Sequence, residues 1–169
     1  MPETTVPLGT VPPNVASRLK ELGAPPEIAS VASYRSMSVQ PDLLLPWVEL
    51  SWRLRLHAVT PRRLRELVIT RTTILQDADF ERKAHEKFAR EAGVTEQEIE
   101  ALVDWQTADT FSEAERTALE LSDAMHDGGV SDDLVKKLQD HFDPASLVEL
   151  ILTVGFYEMV PRVNDALRV

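Results

Sequence analysis

Helix start signals recur along this chain about once per helix length, and no segment sustains period-two alternation. Together these facts restrict the fold more than any other feature of the sequence. Asn14 is placed to cap a helix through Leu22, with Gly23 as its left-handed terminator. Pro25 and Pro26 open a second helix, Glu27 to Ser38, and Pro41 opens a third. There Leu43, Leu44, Leu45, Val48, Trp52 and Leu56 supply apolar bulk, and Pro46 is expected to distort or restart the helix. Thr60-Pro61 pairs a cap with proline at the first helical position, for a helix to about Leu75. Asp77 or Asp79 starts the next, ending at Gly93. Thr95 to Glu98 and Ser112 to Glu115 are capping boxes, the second opening a helix that stops near Gly128-Gly129. Ser131 begins a helix through Phe142, and Asp143-Pro144 opens the last and most apolar one, to about Leu167 with a kink before Pro161. The fold class expected is all-α, a compact bundle of about eight helices. The domain organisation expected is an extended N-terminal arm over residues 1–13 and a single helical domain over 14–169. The proline-rich arm reads either as disordered or as packing on a neighbouring subunit.

Composition narrows the function classes. Eighteen basic against 28 acidic residues give a formal net charge of -10, which repels phosphate backbones and anionic lipid, so neither nucleic acid nor a membrane surface is an expected partner. Zero cysteines exclude disulfides, thiolate metal sites and cysteine nucleophiles. The first residues carry Glu3 and no basic or long apolar run, so a signal peptide is not expected. No run is read as approaching the roughly 18 apolar residues of a membrane span, and the expected location is the cytoplasm.

Two helices carry the candidate chemistry. In Glu66–Leu75, ELVITRTTIL, Leu64, Leu67, Val68 and Leu75 form one apolar stripe with Arg71 in its midst. Ile69, Thr70, Thr72 and Thr73 stand where a surface helix carries charge, so this helix is expected to be covered on most sides, with Glu66 and Arg71 needing partners. At about 100° per residue Glu66 falls opposite the aliphatic stripe, and the bland reading is a first-turn glutamate favoured by the helix dipole and by Arg62, Arg63 and Arg65. In the next helix Phe80, Ala84, Phe88 and Ala92 step by four and are read as its buried stripe, with Glu81 and His85 along it. A carboxylate beside a buried imidazole suits proton transfer; a core histidine bonded to Glu81 for stability alone is the competing reading.

Taken in order, LRELVITRTTILQDADFERKAHEKFAREAGVTEQEIEAL, FSEAERTALELSDAM and LVELILTVGFYEMVPRVNDAL resemble the carboxymuconolactone decarboxylase family of the alkylhydroperoxidase D-like superfamily, over roughly Gln40 to Val169. In that superfamily's peroxidase branch the motif is a glutamate, a CxxC pair and a histidine. Here the glutamate matches Glu66 and the histidine His85, but Ala78 and Glu81 occupy the cysteine positions, which removes dithiol peroxidase chemistry. Glutamate at the second cysteine position is compatible with the decarboxylase-like branch. Ala84 replaces a second histidine common in that branch, and Arg82 its usual tryptophan. The resemblance implies an all-α fold, a trimer or hexamer, and a cofactor-free site between helices. It points to a lyase, decarboxylase or isomerase acting on a small carboxylated or lactone substrate. The catalytic candidates are His85 as acid/base with Glu66 or Glu81 orienting it. Arg71 is a candidate for a substrate carboxylate or for a structural salt bridge, and Tyr157 and Trp52 are candidates to line the site or to be core. The competing class is a non-catalytic small-molecule-binding or assembly protein on the same scaffold. No metal is expected, because Glu81 and His85 are spaced ExxxH and no HExxH occurs.

Overall fold

The computed structural model describes residues 4–169, and the described residues hold helices and no strand. They divide into two compact units: residues up to Ala58 together with Arg162–Val169, and Val59–Pro161.

The first unit contains α1 (Pro13–Glu21), α2 (Ala32–Met37) and α3 (Pro41–Leu56). Its core joins Val11, Val15, Leu19, Leu22, Tyr34, Leu44, Val48 and Trp52. Residues 1–3 of the expected arm lie outside the described residues. From Thr4 onward the segment is tied to its own chain: the Thr5 N–H donates to the Leu167 carbonyl at 3.1 Å, and the Gly9 N–H to that of Arg35 at 3.0 Å. The expected helix over Glu27–Ser38 is instead a 3-10 turn at Pro26–Ser30 followed by α2, because Val31 sits in the extended region at φ -66°, ψ 138°. Pro46, in turn, does not interrupt α3. It lies in the second turn on an exposed face, where solvent can satisfy the carbonyl that lacks its N–H partner.

In the second unit α4 (Arg62–Leu75) is the central element. It is followed by α5 (Asp79–Glu91), α6 (Glu96–Ala101) with a 3-10 turn at Leu102–Thr107, α7 (Glu113–His126), α8 (Asp132–His141) and α9 (Pro144–Leu167), whose residues to Pro161 belong here. Leu64 and Val68 face a cluster with Leu121, Leu138, Leu150 and Val154, while Leu67 faces another with Ala89, Ile99, Leu102 and Leu119. With apolar layers on two sides, all ten residues from Leu64 to Thr73 are buried. The α5–α6 turn needs glycine: Gly93 stands at φ +86°, its N–H bonded to the Arg90 carbonyl and that of Val94 to Ala89.

Two sequence expectations change here. Thr60 does not cap α4; the Glu149 carboxylate of α9 accepts the Val59 and Thr60 N–H groups at 2.7 and 2.8 Å. And α9, 24 residues with an apolar window of mean hydropathy 1.2, is long and apolar enough to cross a membrane, contrary to the sequence reading. Leu150, Thr153, Val154, Phe156 and Tyr157 are nonetheless buried within the protein.

Candidate functional site

The site is built on the α4–α5 hairpin. Glu66 and His85 face each other across it, the His85 Nδ1 and the Glu66 Oε2 2.8 Å apart. His85 is 2% exposed, and both side chains are buried. Glu66 thus points inward although it lies opposite the aliphatic stripe, because α4 is buried on every side and an apolar stripe no longer marks its only inner face.

The phase of α5 differs from the expected one. Phe80 is 77% exposed and Ala84 is exposed too, while His85 and Ala89 are the buried positions of the helix. With few apolar residues in the helix, periodicity alone left its rotation undetermined. The Glu66 hydrogen bond and the close approach allowed by the small Ala89 turn it by about one residue step. Glu81, one turn before His85, is partly buried.

Aromatic rings enclose the imidazole. Tyr157 of α9 meets it edge-on with centroids 4.7 Å apart, and Phe88 of α5 does so at 5.4 Å. Tyr157 is itself placed by Gln76 at the end of α4, whose Nε2–H donates to the Tyr157 carbonyl at 2.9 Å. The hydroxyls of Thr70, one turn beyond Glu66, and Thr153, one turn before Tyr157, are fully buried and have no hydrogen-bond partner. Buried polar atoms without partners are uncommon, and these two stand on the helices that carry Glu66 and Tyr157.

At the start of α4, Arg62 reaches one turn forward to Glu66, its Nε 3.8 Å from Oε1. It also donates to Glu91 at 3.2 Å and lies over the Phe88 ring. Arg65 is buried, and burial lowers its pKa against the opposing charges of Glu149 and Glu66; its NH1 donates to the Thr60 carbonyl.

Two of the sequence candidates lie elsewhere. Arg71 donates from Nε to Asp123 Oδ1 at 2.6 Å and from NH1 to the Leu102 and Val103 carbonyls, both at 2.9 Å. It is therefore engaged as a salt bridge that ties α4 to α7 and to the turn after α6. Trp52 belongs to the core of the first unit, its indole N–H donating to the Tyr34 hydroxyl at 3.0 Å. Of the three arginines the sequence placed near Glu66, Arg62 is the one that approaches its carboxylate at i,i+4 spacing. Nothing in the sequence marked Thr153. Among the described residues no group of three or more His, Asp and Glu side chains is arranged to hold a metal ion.

Residues 41–124 match the carboxymuconolactone decarboxylase family. An uncharacterized protein of Bacillus subtilis, YdfG, is 31% identical over 109 residues, which cover 63% of this chain and 74% of that one. The chain belongs to the carboxymuconolactone decarboxylase family, a family named for an enzyme acting on a small molecule. Two solved structures share its fold. One is an AhpD-core, peroxidase-related protein from Ralstonia eutropha, with a TM-score of 0.77 and 15% identity over 99% of this chain and 92% of that one. The other is the debrominase Bmp8 in complex with 2,3,4-tribromopyrrole, with a TM-score of 0.77 and 17% identity over 98% of this chain and 92% of that one.

Proposed function

We propose that this chain is a cofactor-independent lyase or decarboxylase, or an isomerase, acting on a small carboxylated or lactone substrate by histidine–glutamate proton transfer. The observation that carries the reading is the buried 2.8 Å contact between His85 and Glu66. A carboxylate bonded to Nδ1 fixes the ring's tautomer and stabilises the imidazolium, which leaves His85 suited to deliver or accept a proton at its other nitrogen. Loss of carbon dioxide from a lactone acid leaves an enolate-like charge, and a nearby donor that protonates it lowers the barrier. The unpartnered, buried Thr70 and Thr153 hydroxyls, one turn from Glu66 and from Tyr157, are spare hydrogen-bonding capacity on the same helices. Glu81, at the second cysteine position of the peroxidase branch, is the second carboxylate in this assignment. Tyr157 is assigned to the wall of the site. The reading places the enzyme in the cytoplasm as a homo-oligomer, trimer or hexamer. The exposed Val148, Ile151, Leu152 and Met159 on α9 favour self-association.

The competing reading is a non-catalytic small-molecule-binding or assembly protein on the same scaffold, and the 2% exposure of His85 favours it. Screening lactone acids and β-keto acids for carbon dioxide release separates the two. Under the enzymatic reading a substrate emerges, and His85→Ala lowers its turnover about 100-fold to 10,000-fold, the usual range for losing a general acid or base. Full turnover in His85→Ala would assign the pair to structure.

A further inference from the structure

The Glu66 carboxylate has two oxygens with different company. One meets the imidazole of His85 inside the protein; the other faces the guanidinium of Arg62, whose side chain is 43% exposed. Arg62 divides its charge between Glu66, 3.8 Å away, and the exposed Glu91, 3.2 Å away. Its Cζ rests 5.9 Å from the centre of the Phe88 ring, which touches His85 edge-on. The buried pair is thus linked to solvent-facing charge through one flexible side chain.

We propose that Arg62 is a positioning residue that sets the pH at which the Glu66–His85 pair gives up its proton. The inference rests on reading the pair as a proton-transfer device, and it adds a control that the pair itself does not contain. The pair with a proton bound is an imidazolium beside a carboxylate; without it, a neutral imidazole beside the same carboxylate. A cation against the outer carboxylate oxygen favours the second state, since it is repelled by the imidazolium and is attracted more strongly once that charge has gone. Other charged and titratable groups lie on the packed elements: Arg65 on α4 opposes Glu66, Glu149 of α9 and the Tyr157 phenol, Tyr157 meets the His85 ring, and Glu81 on α5 is partly buried one turn before His85. Arg71 and Asp123 satisfy each other. Arg62 is the member of this set that combines substantial exposure with direct approach to Glu66, so its position is the one that solvent or a bound anion can change.

The test needs no substrate. Imidazole nitrogens are followed by NMR across pH 5 to 9 in the full chain, with the His85 signals assigned by their loss in His85→Gln. In Arg62→Gln the pair keeps its proton to higher pH, an upward shift of about half a unit or more in the apparent pKa of the pair. Arg62→Lys retains a cation and stays closer to wild type. Glu91→Gln removes the competing carboxylate and shifts the transition down. His57, His126 and His141 hold their values in all three variants and serve as internal controls. The proposal is overturned if His85 titrates within about 0.2 units of wild type in Arg62→Gln, if the lysine variant shifts equally, or if His85 stays in one protonation state throughout in every protein. Failure of the catalytic reading shows separately, as full turnover in His85→Ala.

Discussion

Arg71 and Asp123 illustrate how much a single residue's neighbours decide. The guanidinium has one carboxylate and two backbone carbonyls within 2.9 Å. Asp123 in turn accepts from the Trp105 indole at 3.0 Å and the Gln106 amide at 2.9 Å. Removing one partner of such a network leaves the other charge partly buried and uncompensated. Arg71→Ala is therefore expected to cost about 3 kcal/mol in urea unfolding, and the double variant with Asp123→Ala less than the sum of the single ones. Additive losses would show that the two residues act independently. The sequence showed that Arg71 needed a partner, since it sits within an apolar stripe, but not that the partner lay 52 positions on. Glu66 was harder to read. Helical phase places a side chain inside or outside only when a helix has an outside, and α4 has none from Leu64 to Thr73. The inward turn of Glu66 was legible through family resemblance and not through periodicity.

At the scale of elements, the chain's own punctuation was legible where the cap is local. Thr95 and Ser112 each accept the N–H of the residue three positions on, and Glu98 and Glu115 reach back in both boxes. Thr60-Pro61 carried the same kind of signal, yet no side chain caps α4, and the segment leading into it is held instead by Glu149, 89 positions away from Thr60. A local rule cannot register a donor–acceptor pair that forms only after α9 docks. The two cases predict different outcomes. Thr95→Ala is expected to cost about 1 kcal/mol, as usual for an N-cap. Glu149→Ala leaves the Val59 and Thr60 N–H groups without their charged acceptor and is expected to cost about 2 kcal/mol, more than Thr60→Ala. Equal losses for Glu149→Ala and Thr60→Ala would contradict the role of Glu149 in holding this junction. The rotation of α5 belongs to this scale too. Phe80 and Phe88 suggested a stripe by size, but the buried face is defined by a histidine and an alanine, which only tertiary contacts could select.

Across the whole molecule, an acidic chain concentrates its carboxylates at points where the fold depends on them. Glu98 is the strongest case: the Arg63 hydrogen bond, with help from the Thr95 N–H and hydroxyl, outweighs burial and lowers its pKa to about 2. Burial raises Glu149, yet the Thr60 and Val59 N–H groups leave it lowered on balance. Asp143 is lowered by the Ser146 N–H at the start of α9, and Glu49 by Arg18 in the first unit. A carboxylate whose pKa falls on folding stabilises the native state above its unfolded value, and that contribution vanishes as pH falls through the folded value. The window is therefore from about pH 4.5, the ordinary value of a free glutamate, down to about 2, the folded value of Glu98. Urea unfolding should show stability flat near neutrality and falling through this window, Glu98 contributing on the order of 2–3 kcal/mol. In Glu98→Gln that share is already absent at pH 7, so the variant starts lower and its stability falls less steeply with acid. Parallel pH profiles for wild type and variant would show that Arg63 does not hold Glu98 ionised. Because Arg63 also bonds Glu115 at 2.8 Å, the same guanidinium links the first turns of α6 and α7 to α4, and acid should loosen both junctions together.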